Sequence, residues 1–386
     1  SQKNLPLEKI KLGETKIINT ELPDGRNGPG LDILPREILA KAADHSLSQN
    51  DNTFLNYGYN AGDGLFHRAL AGFLSGYYNY QPDPDHLFVT AGSSMALDLV
   101  CTRFTKPGDT IIVEQPTYFL AHQIFEDHGL KMIGVRMESD GMNLNQLERL
   151  VSEHAPKLVY TVPSFHNPTG ITLSDEKRQR LAELSRHLDF IVVADEVYQL
   201  LNFSMKSLPA PMSSYSSVGN ILSLGTFSKI LAPGLRLGWI ECNPEFRSRL
   251  QFTGFVDSGG SVNHFTSAIV RSAIELGLLQ QVLDRYIAIY RQRVDTMHKS
   301  LLAREIEAVW EIPDGGFFFW LNMGKGFDGR KLVETASAHD LGLISGDAFT
   351  TDGSLSQYIR LSFAYFGDSD IEEGMQRFRM SLDSMR

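Results

Sequence analysis

A regular alternation of short apolar runs with longer helix-like segments is the feature that most constrains how this chain folds. Continuous apolar runs of strand length, separated by helices, predict a largely parallel sheet whose two faces are both covered. The seven runs stand at 87–90, 110–113, 131–135, 158–162, 190–194, 221–224 and 237–241. The helix-like segments that separate several of them stand at 95–104, 118–128, 144–153 and 175–187.

The pattern changes beyond about residue 263, where a long helical region reaches residue 303 and short strands and helices follow. This change predicts a second, smaller domain. Because the two ends of a chain often lie close together, we expect the N-terminal segment to pack on that domain. The predicted division is a large domain over 45–262 and a small domain made of 1–44 and 263–386.

Composition argues against several classes of function. The 386 residues carry 36 basic and 46 acidic side chains and a net charge of −10 with no basic block, so we expect neither nucleic-acid nor membrane binding. The two cysteines, Cys101 and Cys242, stand in apolar contexts, which favours a reducing compartment. No apolar run is long enough for a membrane span and the N-terminus lacks a signal-peptide core, so we expect a cytoplasmic protein.

Several known motifs are missing from the sequence. Neither the phosphate-loop motif nor a strand-linked GxGxxG occurs, and the absence of HxxxH and CxxC pairs leads us to expect no metal site. The segment 92–96 departs from the serine-hydrolase motif GxSxG because Ala96 stands in place of the second glycine.

Polar residues follow four of the predicted strands, at the edge where α/β sheets bind ligands. Ser93 and Ser94 begin a helix after a tight turn, and the backbone N–H groups there either bind a phosphate or are simply capped by serine. Asn167 lies in the turn 162–170, where its amide can donate to an oxyanion. His166 beside it is interpreted as structural.

Two further strands end in charged residues. Asp195 and Glu196 close a very apolar strand, where a carboxylate either caps a helix or is held for a cationic ligand nitrogen. Lys229 follows the next strand among small hydroxyl residues, either as a solvated loop residue or as a nucleophilic amine. An amine for a Schiff base, an acid for a pyridinium nitrogen and a phosphate cradle together meet the requirements of pyridoxal phosphate.

On these residues the chain resembles the class I aminotransferases of pyridoxal-phosphate fold type I over about residues 55–366. Within them it resembles the branch of the 2-aminoadipate and kynurenine aminotransferases. The resemblance implies an α/β, aspartate aminotransferase-like fold, with a seven-stranded mostly parallel sheet in the large domain and a smaller α+β domain. It also implies pyridoxal 5′-phosphate as the cofactor and a homodimer as the assembly.

The resemblance implies roles for single residues as well. Lys229, Asp195 and Tyr198 would be catalytic: Lys229 would bind the cofactor aldehyde and move the substrate proton, and Asp195 would pair with the ring nitrogen. Tyr198 and Asn167 would bind the ring oxygen, and Tyr118 would stack on the ring. The phosphate ligands would be Ser93, Ser94, Thr226, Ser228 and Arg236.

Four residues are assigned to the substrate or to the second subunit. Arg360, together with Asn167, would bind the α-carboxylate of the substrate. Tyr57 would reach the phosphate of the neighbouring subunit and complete each site across the dimer interface. Arg26 would either meet the distal carboxylate of a dicarboxylic substrate or be a solvated loop residue.

The activity implied by the resemblance is amino-group transfer from an L-amino acid of the 2-aminoadipate, aromatic or branched-chain type to a 2-oxo acid. The acceptor would be 2-oxoglutarate and the kinetics ping-pong. The alternatives are a C–S lyase of the same fold and a cofactor-sensing regulator. We do not expect a regulator, because regulators of this type carry an N-terminal DNA-binding domain and the motifs here begin near Tyr57.

Overall fold

The computed structural model describes residues 28–49, 51–204, 206–260 and 262–385. The strands are β1 (Leu87–Thr90), β2 (Thr110–Gln115), β3 (Lys131–Glu138), β4 (Gly141–Met142), β5 (Leu158–Thr161), β6 (Ile191–Asp195), β7 (Ile221–Thr226), β8 (Gly238–Cys242), β9 (Phe318–Asn322), β10 (Ile344–Ser345) and β11 (Tyr358–Ser362). The helices are α1 (Arg36–Leu47), α2 (Gly64–Ser75), α3 (Ser93–Phe104), α4 (Phe119–Asp127), α5 (Leu144–His154), α6 (Asp175–His187), α7 (Pro244–Gln251), α8 (Gly254–Gly259), α9 (His264–Glu275), α10 (Leu278–Ala303), α11 (Gly329–Ser337) and α12 (Asp368–Asp383).

The larger sheet has eight strands in the order β1-β8-β7-β6-β5-β2-β3-β4. In the run β3-β2-β5-β6-β7, each pair of neighbouring strands is parallel. Strand β8 is antiparallel to both β7 and β1, so β1 runs in the same direction as β7. The carboxyl ends of six strands therefore meet along one edge of the sheet, and every predicted strand-end motif follows one of them.

The predicted mostly parallel α/β sheet is confirmed, but the predicted number of seven strands is one too few. All seven apolar runs coincide with strands of this sheet. The additional strand is β4, which spans two residues and pairs antiparallel with the end of β3. A two-residue pairing has no apolar run of its own, so no hydrophobic pattern in the sequence predicts it.

The continuous apolar runs are explained by helices on both faces of the sheet. Successive side chains of a strand point to opposite faces, and here neighbouring residues belong to different clusters of the core. One cluster packs with α5 and α6 and includes Ile112, Val159, Val192 and Ile221. The other packs with helices that include α3 and α4 and contains Ile111, Leu158, Val193 and Leu222.

A smaller antiparallel sheet, in the order β10-β11-β9, lies beyond α10 in the chain. Helix α12 packs on α10 and α11, and α1 packs on α9. The described part of the N-terminal segment therefore contacts the chain beyond residue 263, while residues 1–27 lie outside the described residues. The domain boundaries themselves stay a prediction. No described helix is long and apolar enough to cross a membrane.

Strands β7 and β8 are closely packed, and this packing determines the position of the residues that follow β7. Gly225 faces Trp239 across the pair, and a Cβ atom on Gly225 would lie 2.1 Å from the Trp239 ring. Trp239 is buried and also packs against Phe227, with ring centroids 5.2 Å apart. A side chain at position 225 would therefore displace the indole.

We expect Gly225→Ala to destabilise the fold by about 1–3 kcal/mol because the new methyl group overpacks this contact. The measurement is the midpoint of thermal unfolding. Gly72→Ala is the matched control, because a Cβ there meets no atom within 4 Å and alanine is the better helix former in α2. Equal midpoints for the two variants would contradict the packing argument.

Candidate active site

A cavity of about 350 Å³ opens at the edge where the strands end. Nine of the twelve predicted site residues line it: Ser93, Ser94, Tyr118, Asn167, Asp195, Tyr198, Ser228, Lys229 and Arg236. The other lining residues are Gly28, Val162, Val197 and Pro233. Segments far apart in the sequence therefore meet in one place, as the strand order requires.

Asp195 is the buried acid of the cavity. It ends β6 with 6% of its surface exposed, and its Oδ2 accepts a 2.7 Å hydrogen bond from the Tyr160 hydroxyl on β5. Its Oδ1 is buried and has no hydrogen-bond partner among the described residues. Burial raises the pKa of Asp195 to about 6, against the opposing effects of the Tyr160 hydrogen bond and the Lys229 charge.

Lys229 follows β7 by three residues and is half-buried. Its Nζ lies 5.9 Å from the centre of the Phe317 ring, and its charge acts on Asp195. The hydroxyl of Thr226 donates to Ser228 Oγ at 3.0 Å and accepts from the Ser228 backbone N–H at 3.1 Å. Thr226 is thus buried behind Ser228 and does not itself line the cavity.

The turn between β1 and α3 forms a polar corner. Gly92 has φ +88°, a conformation that favours glycine, and a Cβ there would crowd Arg236 Nη2 at 3.0 Å. The first backbone N–H groups of α3, which include those of Ser93 and Ser94, have no acceptor within the helix. Arg236 Nη2 donates to the carbonyl of Ala91 at 3.2 Å, which holds the guanidinium beside them.

Arg360 connects the smaller sheet to the cavity. It lies on β11, is 6% exposed, and its Nη1 donates to Asn167 Oδ1 at 2.9 Å. Its guanidinium lies 4.1 Å from the centre of the Phe318 ring and 5.0 Å from that of Phe349. Burial lowers the pKa of Arg360 to about 10, so the side chain stays charged near neutral pH.

The Arg360 contact also orients the amide of Asn167. Because Oδ1 accepts from Arg360, the amide N–H₂ is left to donate, and Asn167 hydrogen-bonds with Tyr198. Burial raises the pKa of the Tyr198 hydroxyl. Both side chains therefore present donors to the cavity at neutral pH.

Tyr57 does not line this cavity and is 84% exposed. It belongs to an exposed apolar patch that we call the Tyr57 patch. The segments that form it are joined by hydrogen bonds from Asn60 Nδ2 to the Gln251 carbonyl and to Asp257. The members of the patch are Leu55, Tyr57, Tyr59, Phe252 and Phe255. Arg26 lies outside the described residues.

Sequence analysis missed the residues that support the predicted ones. Tyr160 stands in a buried apolar strand, and the one available signal was that a buried tyrosine hydroxyl needs a partner. Phe318 and Phe349, whose rings pack on Arg360, stand on other elements of the smaller domain, and no local pattern links them to the cavity.

Comparison with known proteins decides the family. The family model for class I and II aminotransferases matches residues 26–378. The chain belongs to this family. It is therefore a pyridoxal 5′-phosphate-dependent transaminase, and the predicted resemblance, fold and cofactor are confirmed.

Three relatives illustrate the branch. The aromatic-amino-acid aminotransferase 1 of Thermococcus litoralis is 34% identical over 97% of this chain and 90% of its own. The structure of Pyrococcus horikoshii kynurenine aminotransferase with PMP, kynurenine and its product is 29% identical, covers 96% of this chain and 92% of its own, and has a TM-score of 0.87. The Thermus thermophilus α-aminoadipate aminotransferase, complexed with N-(5′-phosphopyridoxyl)-L-leucine, is 27% identical over 93% and 91%, with a TM-score of 0.82.

The described residues fit pyridoxal phosphate on two structural observations. The buried Oδ1 of Asp195 lacks a partner among them, and a cationic ring nitrogen is the group that such an oxygen would pair with. The Gly92 turn leaves open a corner that a side chain would fill, between helix N–H groups and an arginine. That donor set is suited to a phosphate.

The raised pKa of Asp195 predicts a pH-dependent stability in the protein freed of cofactor. Its pKa rises from 3.8 to about 6 on folding, so the folded chain holds this proton more tightly. This proton contributes about 3 kcal/mol to the free energy of unfolding below about pH 4, and that contribution is lost as the pH rises through 6. Asparagine at position 195 cannot ionise, so the variant does not lose this stability.

We therefore expect cofactor-free Asp195→Asn to gain thermal stability over the parent protein as the pH rises from about 4 to 7. The measurement is the unfolding midpoint of both proteins against pH. Asp127→Asn is the control, because Asp127 is an exposed carboxylate on α4. A difference between Asp195→Asn and the parent that stays constant with pH would rule out burial of a carboxylate as the cause.

Proposed function

We propose that this transaminase transfers the amino group of an L-amino acid of the aromatic, 2-aminoadipate or branched-chain type to 2-oxoglutarate, with ping-pong kinetics. The observation that carries the proposal is the meeting of Lys229, Asp195 and Asn167 in one cavity, with Arg360 bonded to Asn167. The substrate types are supported by the names of the relatives, which act on aromatic amino acids, kynurenine and α-aminoadipate.

The chain's own residues would divide the proton chemistry between them. Pyridoxal phosphate, when bound, supplies a carbonyl for the amino group and a ring that delocalises electrons from the substrate Cα. Lys229 Nζ takes the proton from Cα as general base and later returns it as general acid. Asp195 keeps a cationic N–H in place at its unpaired Oδ1, and its burial strengthens that interaction.

Binding and orientation would fall to the rest of the cavity. Tyr118 would pack on the ring, and Asn167 and Tyr198 would donate to its oxygen. Ser93, Ser94, Ser228 and Arg236 would hold the phosphate, with Thr226 acting through its hydrogen bond to Ser228. Several donors on rigid strand ends preorganise the site before substrate enters.

Arg360 would bind the substrate carboxylate in a fork. Its guanidinium is already desolvated by Phe318 and Phe349, which strengthens a charge–charge contact there. Both rings are themselves buried and do not line the cavity, so they support the guanidinium and do not contact the substrate side chain.

A twofold homodimer is the proposed assembly, with Tyr57 reaching the phosphate of the other subunit. An exposed tyrosine in an apolar patch is better explained by burial against a second copy than by exposure to water. The large domain is proposed to span 45–262. Both cysteines are buried and unpaired, which supports a cytoplasmic location.

Lys229→Ala tests the catalytic assignment. We expect a folded variant whose turnover falls by at least about 10³-fold, because Lys229 is the one lysine among the described residues that lines the cavity. Donor consumption and oxo-acid formation are followed with 2-oxoglutarate as acceptor. Retained activity would sink the assignment, and ammonia release by the parent protein without acceptor would favour the C–S lyase.

A mixing experiment tests the shared site. Tyr57→Ala and Lys229→Ala homodimers are each expected to be impaired. If Tyr57 serves the neighbouring subunit, a mixed dimer carries both lesions in one site and neither in the other. Subunit exchange should then restore about a quarter of the parent activity. No recovery, despite exchange verified by mass, would place Tyr57 in its own subunit's site or in none.

A further inference from the structure

Arg178 is a buried cation outside the cavity, at the fourth position of α6, with none of its surface exposed. All five of its side-chain N–H donors have acceptors. Nε donates to the Leu173 carbonyl at 2.9 Å, and Nη1 donates to the Ala210 carbonyl at 3.0 Å and Glu196 Oε1 at 3.3 Å. Nη2 donates to the Pro163 carbonyl at 2.8 Å and Ser164 Oγ at 2.7 Å.

These acceptors close the base of one functional loop. We call residues 163–173 the Asn167 loop, since they carry Asn167 at its centre. Arg178 bonds to Pro163 and Ser164 at its start and to Leu173 at its end, and the Leu173 N–H donates to the Pro163 carbonyl at 2.8 Å. The base of the loop is therefore held by one guanidinium and one backbone bond.

The same guanidinium holds the end of β6. Glu196 follows Asp195 directly, and its buried carboxylate accepts from Arg178, from the Met212 backbone N–H at 2.9 Å, and from Ser223. Each of these contacts fixes Glu196, and with it the neighbouring peptide of Asp195. One planar group thus connects the segment that carries Asn167 to the segment that carries Asp195.

Stability alone does not account for this arrangement. A buried ion pair is often no more stabilising than well-packed apolar residues of the same volume. A guanidinium adds direction, because its five donors lie in one plane with a fixed fork geometry. That geometry sets the distances among the segments it joins. Apolar packing has no fixed direction and determines such distances less precisely.

We propose that Arg178 is a positioning residue for transamination, which holds the base of the Asn167 loop against the end of β6 and so sets Asn167 relative to Asp195. Arg178 does not line the cavity and acts only through these two residues. The inference rests on the proposed roles of Asn167 and Asp195 at the cofactor ring. A shift of about 1 Å between such groups can lower turnover by up to about 100-fold.

Arg178→Lys and Ser164→Ala are the two test variants. Lysine keeps the charge but loses the planar fork. Alanine removes the Ser164 hydroxyl, which accepts from the Arg178 guanidinium and donates to Gln199. Arg180→Gln is the matched control, because Arg180 lies on the same helix but is exposed and donates its hydrogen bonds to Asn145 and Glu148. Each protein is first checked for its thermal unfolding midpoint.

The first readout is hydrogen–deuterium exchange of the holoenzymes. We expect faster exchange confined to the Asn167 loop in Arg178→Lys and, to a smaller extent, in Ser164→Ala, with no change in Arg180→Gln. The second readout is the pH midpoint of the visible absorption of the bound cofactor. It should shift by at least about half a pH unit in Arg178→Lys, with kcat reduced about 10- to 100-fold.

The outcomes separate this inference from the proposed function. If Arg178→Lys folds but has the same hydrogen–deuterium exchange and the same spectral midpoint as the parent protein, the inference is overturned. Faster exchange spread over the whole chain would also overturn it. If Arg178→Lys does not fold, Ser164→Ala decides by the same two readouts. A parent protein without a cofactor spectrum contradicts the proposed function instead, and the exchange pattern still tests the hold of Arg178 on the loop.

Discussion

Burial of the Asp195 carboxylate at the end of an apolar strand is the constraint on which the rest of the site depends. Burial without a full set of partners costs about 3 kcal/mol at neutral pH, judged from the rise of its pKa to about 6. Tyr160 satisfies one oxygen from the neighbouring strand, and the other oxygen faces the cavity. A fold that keeps such a group ionised needs a cation there, and the proposed pairing with the cofactor ring nitrogen would supply it.

The parallel strand order converts this local constraint into a complete site. Because six strands end at one edge, the Lys229 amine, the Asp195 acid, the Asn167 amide and the polar corner at Gly92 converge, although many residues separate them in the chain. The smaller sheet adds Arg360, which donates a buried hydrogen bond to Asn167. Asn167 therefore stands between the proposed substrate ligand, Arg360, and the proposed ligands of the cofactor ring. The base of the Asn167 loop is in turn hydrogen-bonded to Arg178, outside the cavity.

The sequence predicts the strands and their terminal residues because both depend on local pattern: apolar runs, turns, and polar residues directly after them. What it does not predict depends on long-range packing. Strand β4 is too short to leave a hydrophobic signal, and the partner of Asp195 is a tyrosine 35 positions away. Thr226, a predicted phosphate ligand, hydrogen-bonds with Ser228 and does not itself line the cavity, an arrangement that only the turn after β7 determines. The burial of Arg178 is equally invisible, since helix α6 has a polar sequence.

This cavity is proposed to take up an amino group and to hold it until an acceptor arrives. The most direct test is to mix the holoenzyme with an aromatic L-amino acid in the absence of any oxo acid. We expect a change in the visible absorption and release of a single equivalent of oxo acid per subunit, after which the reaction stops. Added 2-oxoglutarate should reverse the absorption change. Continuous release of ammonia and oxo acid, or no release at all from a cofactor-loaded enzyme with any amino acid, would contradict this proposal.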